Sequence, residues 1–154
     1  MKFSAREDIE APIDYVFRHA TDFADFERQA MRRGAQVIRG DNGPVAIGTR
    51  WDIAFKFRER DRTLQAELTS LTAPDGYTIV GDSENIHVDT GLELVALSPK
   101  RTRLMLSVDI KAKNLTARLL LQSMKLAKSK LVKRFKARVL DYTEDLEERY
   151  RKGL

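Results

Sequence analysis

The sequence predicts an α+β domain, a curved antiparallel sheet wrapped around a long C-terminal helix, with two short helices after the first strand. Apolar and polar positions alternate repeatedly between Trp51 and Ile110, as they do in strands with one covered face. From Leu120 to Leu146 the apolar residues instead recur at the helical period. At the start of the chain an alternating segment stops at Pro12 and a helical pattern follows.

Phe3, Ala5, Glu7 and Ile9 alternate with Lys2, Ser4, Arg6 and Asp8, which gives a half-buried first strand. Two helices are expected at about 13–20 and 23–32, with Asp22 capping the second and Gly34 closing it. A short strand over 36–39 runs into the loop Gly40-Asp41-Asn42-Gly43-Pro44. Trp51, Ile53, Phe55 and Phe57 share one phase of the next strand, and Leu64, Ala66 and Leu68 share one phase of its successor. Ala73-Pro74-Asp75-Gly76 is a tight turn before a strand at Tyr77–Val80, and Asp82-Ser83-Glu84-Asn85 turns again. Ile86, Val88, Thr90, Leu92, Leu94 and Ala96, then Leu104, Leu106, Val108 and Ile110, mark the last two strands. Asn114 is placed to cap one helix reaching about Arg149, bent near Ser123, with Leu120, Met124, Leu131, Phe135, Val139, Tyr142 and Leu146 as its core stripe.

At 154 residues, 42% hydrophobic and 33% charged, the chain reads as one soluble domain spanning 1–154 with a sizeable core. No run reaches the apolar length of a membrane span, and the first eight residues lack the apolar core of a secretory signal. Zero cysteines exclude disulfides and thiolate chemistry, so a cytoplasmic location is the default expectation. The two histidines, His19 and His87, have no metal-ligand spacing, and no nucleophile elbow or phosphate loop is present. No metal and no cofactor are expected.

Ala11-Pro12-x-x-x-Val16-Phe17, supported by Gly48-Thr49-Arg50-Trp51 and the long last helix, resembles the START-like, polyketide cyclase/dehydrase (SRPBCC) superfamily. The resemblance covers nearly the whole chain through the order of its elements. It implies a helix-grip fold holding an apolar ligand between sheet and helix. Members include carriers as well as cyclases, so it implies a ligand class more firmly than a reaction.

On that basis the expected ligand-binding residues are Phe26, Trp51, Phe55, Tyr77, Val88, Thr90, Leu106, Met124, Lys128 and Leu131. A pocket of several hundred Å³ is expected, bordered by Trp51, Phe55 and Met124. Trp51 and its aromatic neighbours serve equally as cavity wall or as ordinary core. Glu7 and Lys128 interrupt apolar phases, so each must reach water, pair, or meet a polar ligand group. Glu7, Thr90, Tyr77 and Lys128 are the polar groups a cyclase would draw on, without matching a catalytic motif. The function expected is binding, carrying or sensing a hydrophobic small molecule such as a lipid, quinone, sterol-like or polyketide compound. The alternative is a polyketide cyclase or dehydratase acting in the same cavity.

The net charge of +5 is unevenly spread. Ten cations and no acid lie between Lys111 and Arg138, while the rest of the chain is net acidic. Leu115, Leu119, Leu126 and Leu140 fall opposite the core stripe among these cations. That face reads either as a solvated exterior or as a surface for anionic membrane through Lys125, Lys133 and Lys136. Nucleic acid is a poor fit, because the basic stretch carries only Phe135 for stacking.

Overall fold

The computed structural model describes residues 1–154. Seven strands form one antiparallel sheet in the order β1-β7-β6-β5-β4-β3-β2. They are β1 (Lys2–Ile9), β2 (Gln36–Arg39), β3 (Arg50–Phe57), β4 (Arg60–Thr72), β5 (Gly76–Asp82), β6 (Ile86–Ser98) and β7 (Arg101–Ala112). Helices α1 (Ile13–Ala20) and α2 (Phe23–Arg32) separate β1 from β2, and α3 (Leu115–Lys125) and α4 (Lys128–Arg151) close the chain. None of these helices is long and apolar enough to cross a membrane.

Register follows the alternation. Ala5 pairs with Leu106, Leu106 with Leu92 and Leu92 with Tyr77, so one row of apolar residues crosses four strands on the face turned to the helices. Bulges between Leu68 and Ser70 and between Ala96 and Ser98 help the sheet to curve. Gly76 holds φ at 148°, and a Cβ there would sit 1.9 Å from the Leu92 carbonyl oxygen; only glycine lets β5 approach β6 so closely.

Two apolar clusters hold the elements together. Ile9, Ala11, Val16, Leu94, Leu104, Val139 and Leu146 join β1, α1, β6, β7 and α4. Phe23, Trp51, Ala66 and Leu68 join α2 to β3 and β4. Ala11 and Val16, which carry the opening motif, are both fully buried. The buried Thr102 hydroxyl donates to the Ala11 carbonyl at 2.8 Å, and the Glu10 N–H donates to Glu147 Oε1 at 2.8 Å. The motif is therefore a structural corner that pins the start of α1 to β7 and α4.

The expected cap residues act as caps: Asp22 Oδ1 accepts from the Asp25 N–H and Asn114 Oδ1 from the Ala117 N–H. The long C-terminal helix is present as α4, but the bend expected near Ser123 is a complete break that leaves α3 separate. Leu126 and Ala127 donate to the carbonyls of Ser123 and Met124, three residues back, so the chain tightens and turns before α4 begins. Lys128 is consequently the exposed first residue of α4 and no longer interrupts a continuous stripe.

Candidate functional site

The site is built from the inner faces of β3, β4, β6 and β7 and the underside of α3. Phe55 and Phe57 of β3, Leu64 of β4, Ile86 and Val88 of β6 and Ile110 of β7 all lie on the apolar phase of their strands. Ala117, Leu120, Leu121 and Met124 face them from α3, one turn apart along the helix. Between them lies a cavity of about 600 Å³, ten of whose eighteen lining residues are hydrophobic. Thr63, Thr116 and the Ser83–Asn85 turn add polar groups. Such a volume and composition suit a small apolar ligand held by shape, with a few groups to orient it.

Two guanidiniums border this space. Arg62 lies 5.5 Å from the centre of the Phe57 ring and donates through Nε to the Phe57 carbonyl at 3.2 Å. Arg60 lines the same cavity, with Asp61 and Glu84 as the acids there. The hairpin turn between β3 and β4 consists of Arg58 and Glu59, both with positive φ. Arg58 Nη1 donates to Ser123 Oγ at 2.9 Å and so holds the hairpin tip against α3.

The sequence-predicted residues divide into groups. Phe55, Val88 and Met124 line the cavity under α3. Trp51 does not: it is only 5% exposed, packs against Phe23 at 5.6 Å between ring centres, and donates its indole N–H to Glu27 Oε1 at 2.6 Å. Helix α2 lies over this part of the sheet and fills it with aromatic rings, which is why Trp51 is core and not cavity wall. Phe26 lies tilted against Tyr142 at 6.0 Å between ring centres, and Tyr77 meets Phe23 edge-on at 5.1 Å, so both belong to the same aromatic packing. Burial pushes the Tyr77 phenol up to about 12 and raises that of Tyr142 further still.

Tyr77 and Leu106 also line a separate, mostly polar depression of about 900 Å³ that includes Glu7 and Lys136. Thr90 lines another depression with Phe3 and Val108. Leu131 is half-buried on α4, and neither it nor the exposed Lys128 borders the cavity under α3. Phe57, Leu64, Ile86, Ile110, Leu120 and Leu121 are cavity residues that the site expectation omitted. Alternation had marked the strand residues as inward, but it does not say which inward positions are filled. Leu121 was legible on the stripe as well, since it lies eighteen residues, five helical turns, before Val139.

No group of three or more His, Cys, Asp or Glu side chains is placed to hold a metal ion. His87 lies between Asp82 and Asp89, with ring nitrogens 3.5 and 3.1 Å from their carboxylates.

This arrangement can be set beside solved proteins. Over 97% of this chain and 95% of theirs, the backbone matches the Zhui aromatase/cyclase from Streptomyces sp. R1128 with a TM-score of 0.66 at 12% identity. The chain has the helix-grip fold. A START superfamily protein from Mycobacterium smegmatis shares it at TM-score 0.55 and 11% identity, over 86% of this chain and 95% of that one. Ara h 8.0201 shares it at TM-score 0.56 and 16% identity, over 92% and 98%. No family sequence model and no curated relative matches the chain. Helix-grip architecture is thus common to this chain and proteins only 11–16% identical to it, so the cavity's character rests on its own residues.

Proposed function

We propose that this helix-grip protein binds and carries a hydrophobic small molecule in the cavity under α3. The observation that carries the reading is the apolar wall: Phe55, Phe57, Leu64, Ile86, Val88, Ile110, Leu120, Leu121 and Met124 surround about 600 Å³ of space. Open space lined by side chains of this kind is costly to leave to water, and an apolar ligand would relieve that cost. The START-type and cyclase neighbours support the same ligand class at the level of the fold. A lipid, quinone, sterol-like or polyketide compound would suit the wall. An anionic lipid surface met through the exposed Lys125, Lys133 and Lys136 would be the phase such a molecule leaves and enters.

The cyclase or dehydratase alternative needs a general acid and base facing the substrate. The charged inner-face positions here are Arg60 and Arg62, guanidiniums suited to holding a polar ligand group by hydrogen bonds. The carboxylates at the border, Asp61 and Glu84, are both exposed, Asp61 on the opposite phase of β4 from Arg60 and Arg62 and Glu84 in the β5–β6 turn. This set favours the carrier. Denaturing the purified protein in organic solvent and analysing the extract by mass spectrometry tests the reading. A stoichiometric apolar compound is the expected result. A protein that emerges empty and also takes up none of a broad lipid and polyketide panel would overturn it.

A further inference from the structure

We propose that the junction of α3 and α4 is a docking tip for an anionic lipid bilayer, and that docking sets the rim of the apolar cavity against the lipid. The second clause rests on the carrier reading above, whereas the first stands without it.

Helix α3 is apolar on two sides. At about 100° per residue, Ala117, Leu120, Leu121 and Met124 fall on the cavity side, and Leu115, Leu119 and Leu126 fall opposite. The outer leucines are not covered by any other element: Leu115 is 67% exposed, Leu119 56% and Leu126 91%. The tightened turn after Ser123 thrusts Leu126 outward, where nothing in the fold requires a large apolar side chain. Scattered exposed leucines are ordinary, but two on one side of an eleven-residue helix and a third at its C-cap form a patch.

Along α3 and the first half of α4 the charge is of one sign, with no acid between Lys111 and Arg138. Arg118, Lys125, Lys128, Lys130, Lys133, Arg134, Lys136 and Arg138 form no ion pair in the fold. Lys111 and Lys113, just before them, are neutralised by Asp89, Asp109 and Asp82. Lys128 and Lys130 occupy the first turn of α4, which has no acid, and cations at a helix N-terminus oppose its dipole. The fold tolerates this unfavourable placement, and nearby anionic headgroups would relieve it. The β3–β4 hairpin adds Arg58, bonded to Ser123 one turn before Leu126, with Glu59 as the acid at its tip.

A bilayer fits both features together. Its acyl boundary accepts Leu126, Leu119 and Leu115 while its headgroups accept the surrounding cations. Nucleic acid would meet the cations but find no aromatic side chain on α3 to stack on. Met124 and Leu120 line the cavity on the other side of the same short helix, so a docked α3 would lie between the cavity and the lipid.

Co-sedimentation of the whole protein with phosphatidylcholine vesicles, with and without phosphatidylglycerol, tests the proposal. Binding to the anionic vesicles alone is expected, weakening about tenfold or more as salt rises through the physiological range. Leu126→Glu should weaken it by a similar factor, as should Lys125→Gln, Lys128→Gln and Lys130→Gln together. Lys100→Gln, a cation in the remote β6–β7 turn, should leave docking unchanged. Because Leu126 is solvent-exposed, an unaltered circular dichroism spectrum should accompany its loss of docking. Equal retention on both vesicles, no retention on either, or full retention by Leu126→Glu would overturn the docking tip. Uptake of N-phenyl-1-naphthylamine without vesicles separates the two ideas. Uptake without docking defeats this proposal and leaves the carrier standing, while docking without uptake defeats the link to the cavity.

Discussion

Arg58 donates to the Ser123 hydroxyl at 2.9 Å, joining the β3–β4 hairpin tip to α3 at the rim of the apolar cavity. Arg58 and Glu59 sit at φ 51° and 63°, a turn that asparagine and glycine fill at lower cost. The strained pair therefore coincides with the one side-chain tie between hairpin and helix. Ser123→Ala removes the acceptor from an exposed contact, so stability should change by no more than about 1 kcal/mol. Stopped-flow mixing with an apolar probe should show entry and exit both faster, with the equilibrium affinity nearly unchanged. Unaltered rates would show that the tie does not gate the cavity.

Trp51 should report on folding and not on ligand. Its ring is packed under α2 and its N–H is held by Glu27, away from the cavity under α3. Glu27→Ala leaves a buried indole donor without a partner and should cost about 1–3 kcal/mol in denaturant unfolding. Glu27→Gln, which keeps an acceptor, should cost less. Apolar ligands should leave Trp51 emission nearly constant in all three proteins.

The architecture was largely legible from local signals. Pro12, Asp22, Gly34 and Asn114 mark where elements start and stop by chemistry that operates within a few residues. Strand phases were equally plain, because inward residues such as Leu68 and Leu104 must be apolar. The cavity was less legible. Trp51 and Phe55 share a phase of β3, yet α2 covers one and leaves the other beside open space. That difference arises from packing between elements far apart in the chain. The bend expected near Ser123 proved to be a full break at Leu126–Ala127, an extent the sequence does not show, since neither glycine nor proline marks it and three-residue bonding alone makes the turn.

His19 supplies a pH dependence. Burial, then the nearby Arg18 and Arg149, holds its imidazole below the usual histidine range, against the weaker pull of Asp22 and Asp145. Its Nε2 is buried without a hydrogen-bond partner, beside Tyr15 at 4.4 Å between ring centres. An unfolded chain binds this proton more readily than the folded one. Stability should therefore be full above about pH 6.5 and fall as pH drops below it, levelling off under the depressed folded value. Urea unfolding of the wild type and His19→Gln between neutral and mildly acid pH checks this, and the variant should show a flatter profile. The carboxylate of Asp8, lowered by its hydrogen bond to Arg103, acts only in more acid solution.

The most direct test of the account asks whether the space under α3 is the binding site. N-phenyl-1-naphthylamine is uncharged and apolar, and its fluorescence rises in an apolar environment. Titration into the wild type should saturate at one probe per chain. Leu120→Trp and, independently, Met124→Trp place an indole where the cavity lies and should reduce affinity at least about tenfold, a loss of ~1.4 kcal/mol. Both positions are half-buried on one face of α3, so unfolding midpoints should stay near that of the wild type. No saturable binding by the wild type, or unchanged affinity in both well-folded variants, would contradict the claim that this cavity holds the ligand.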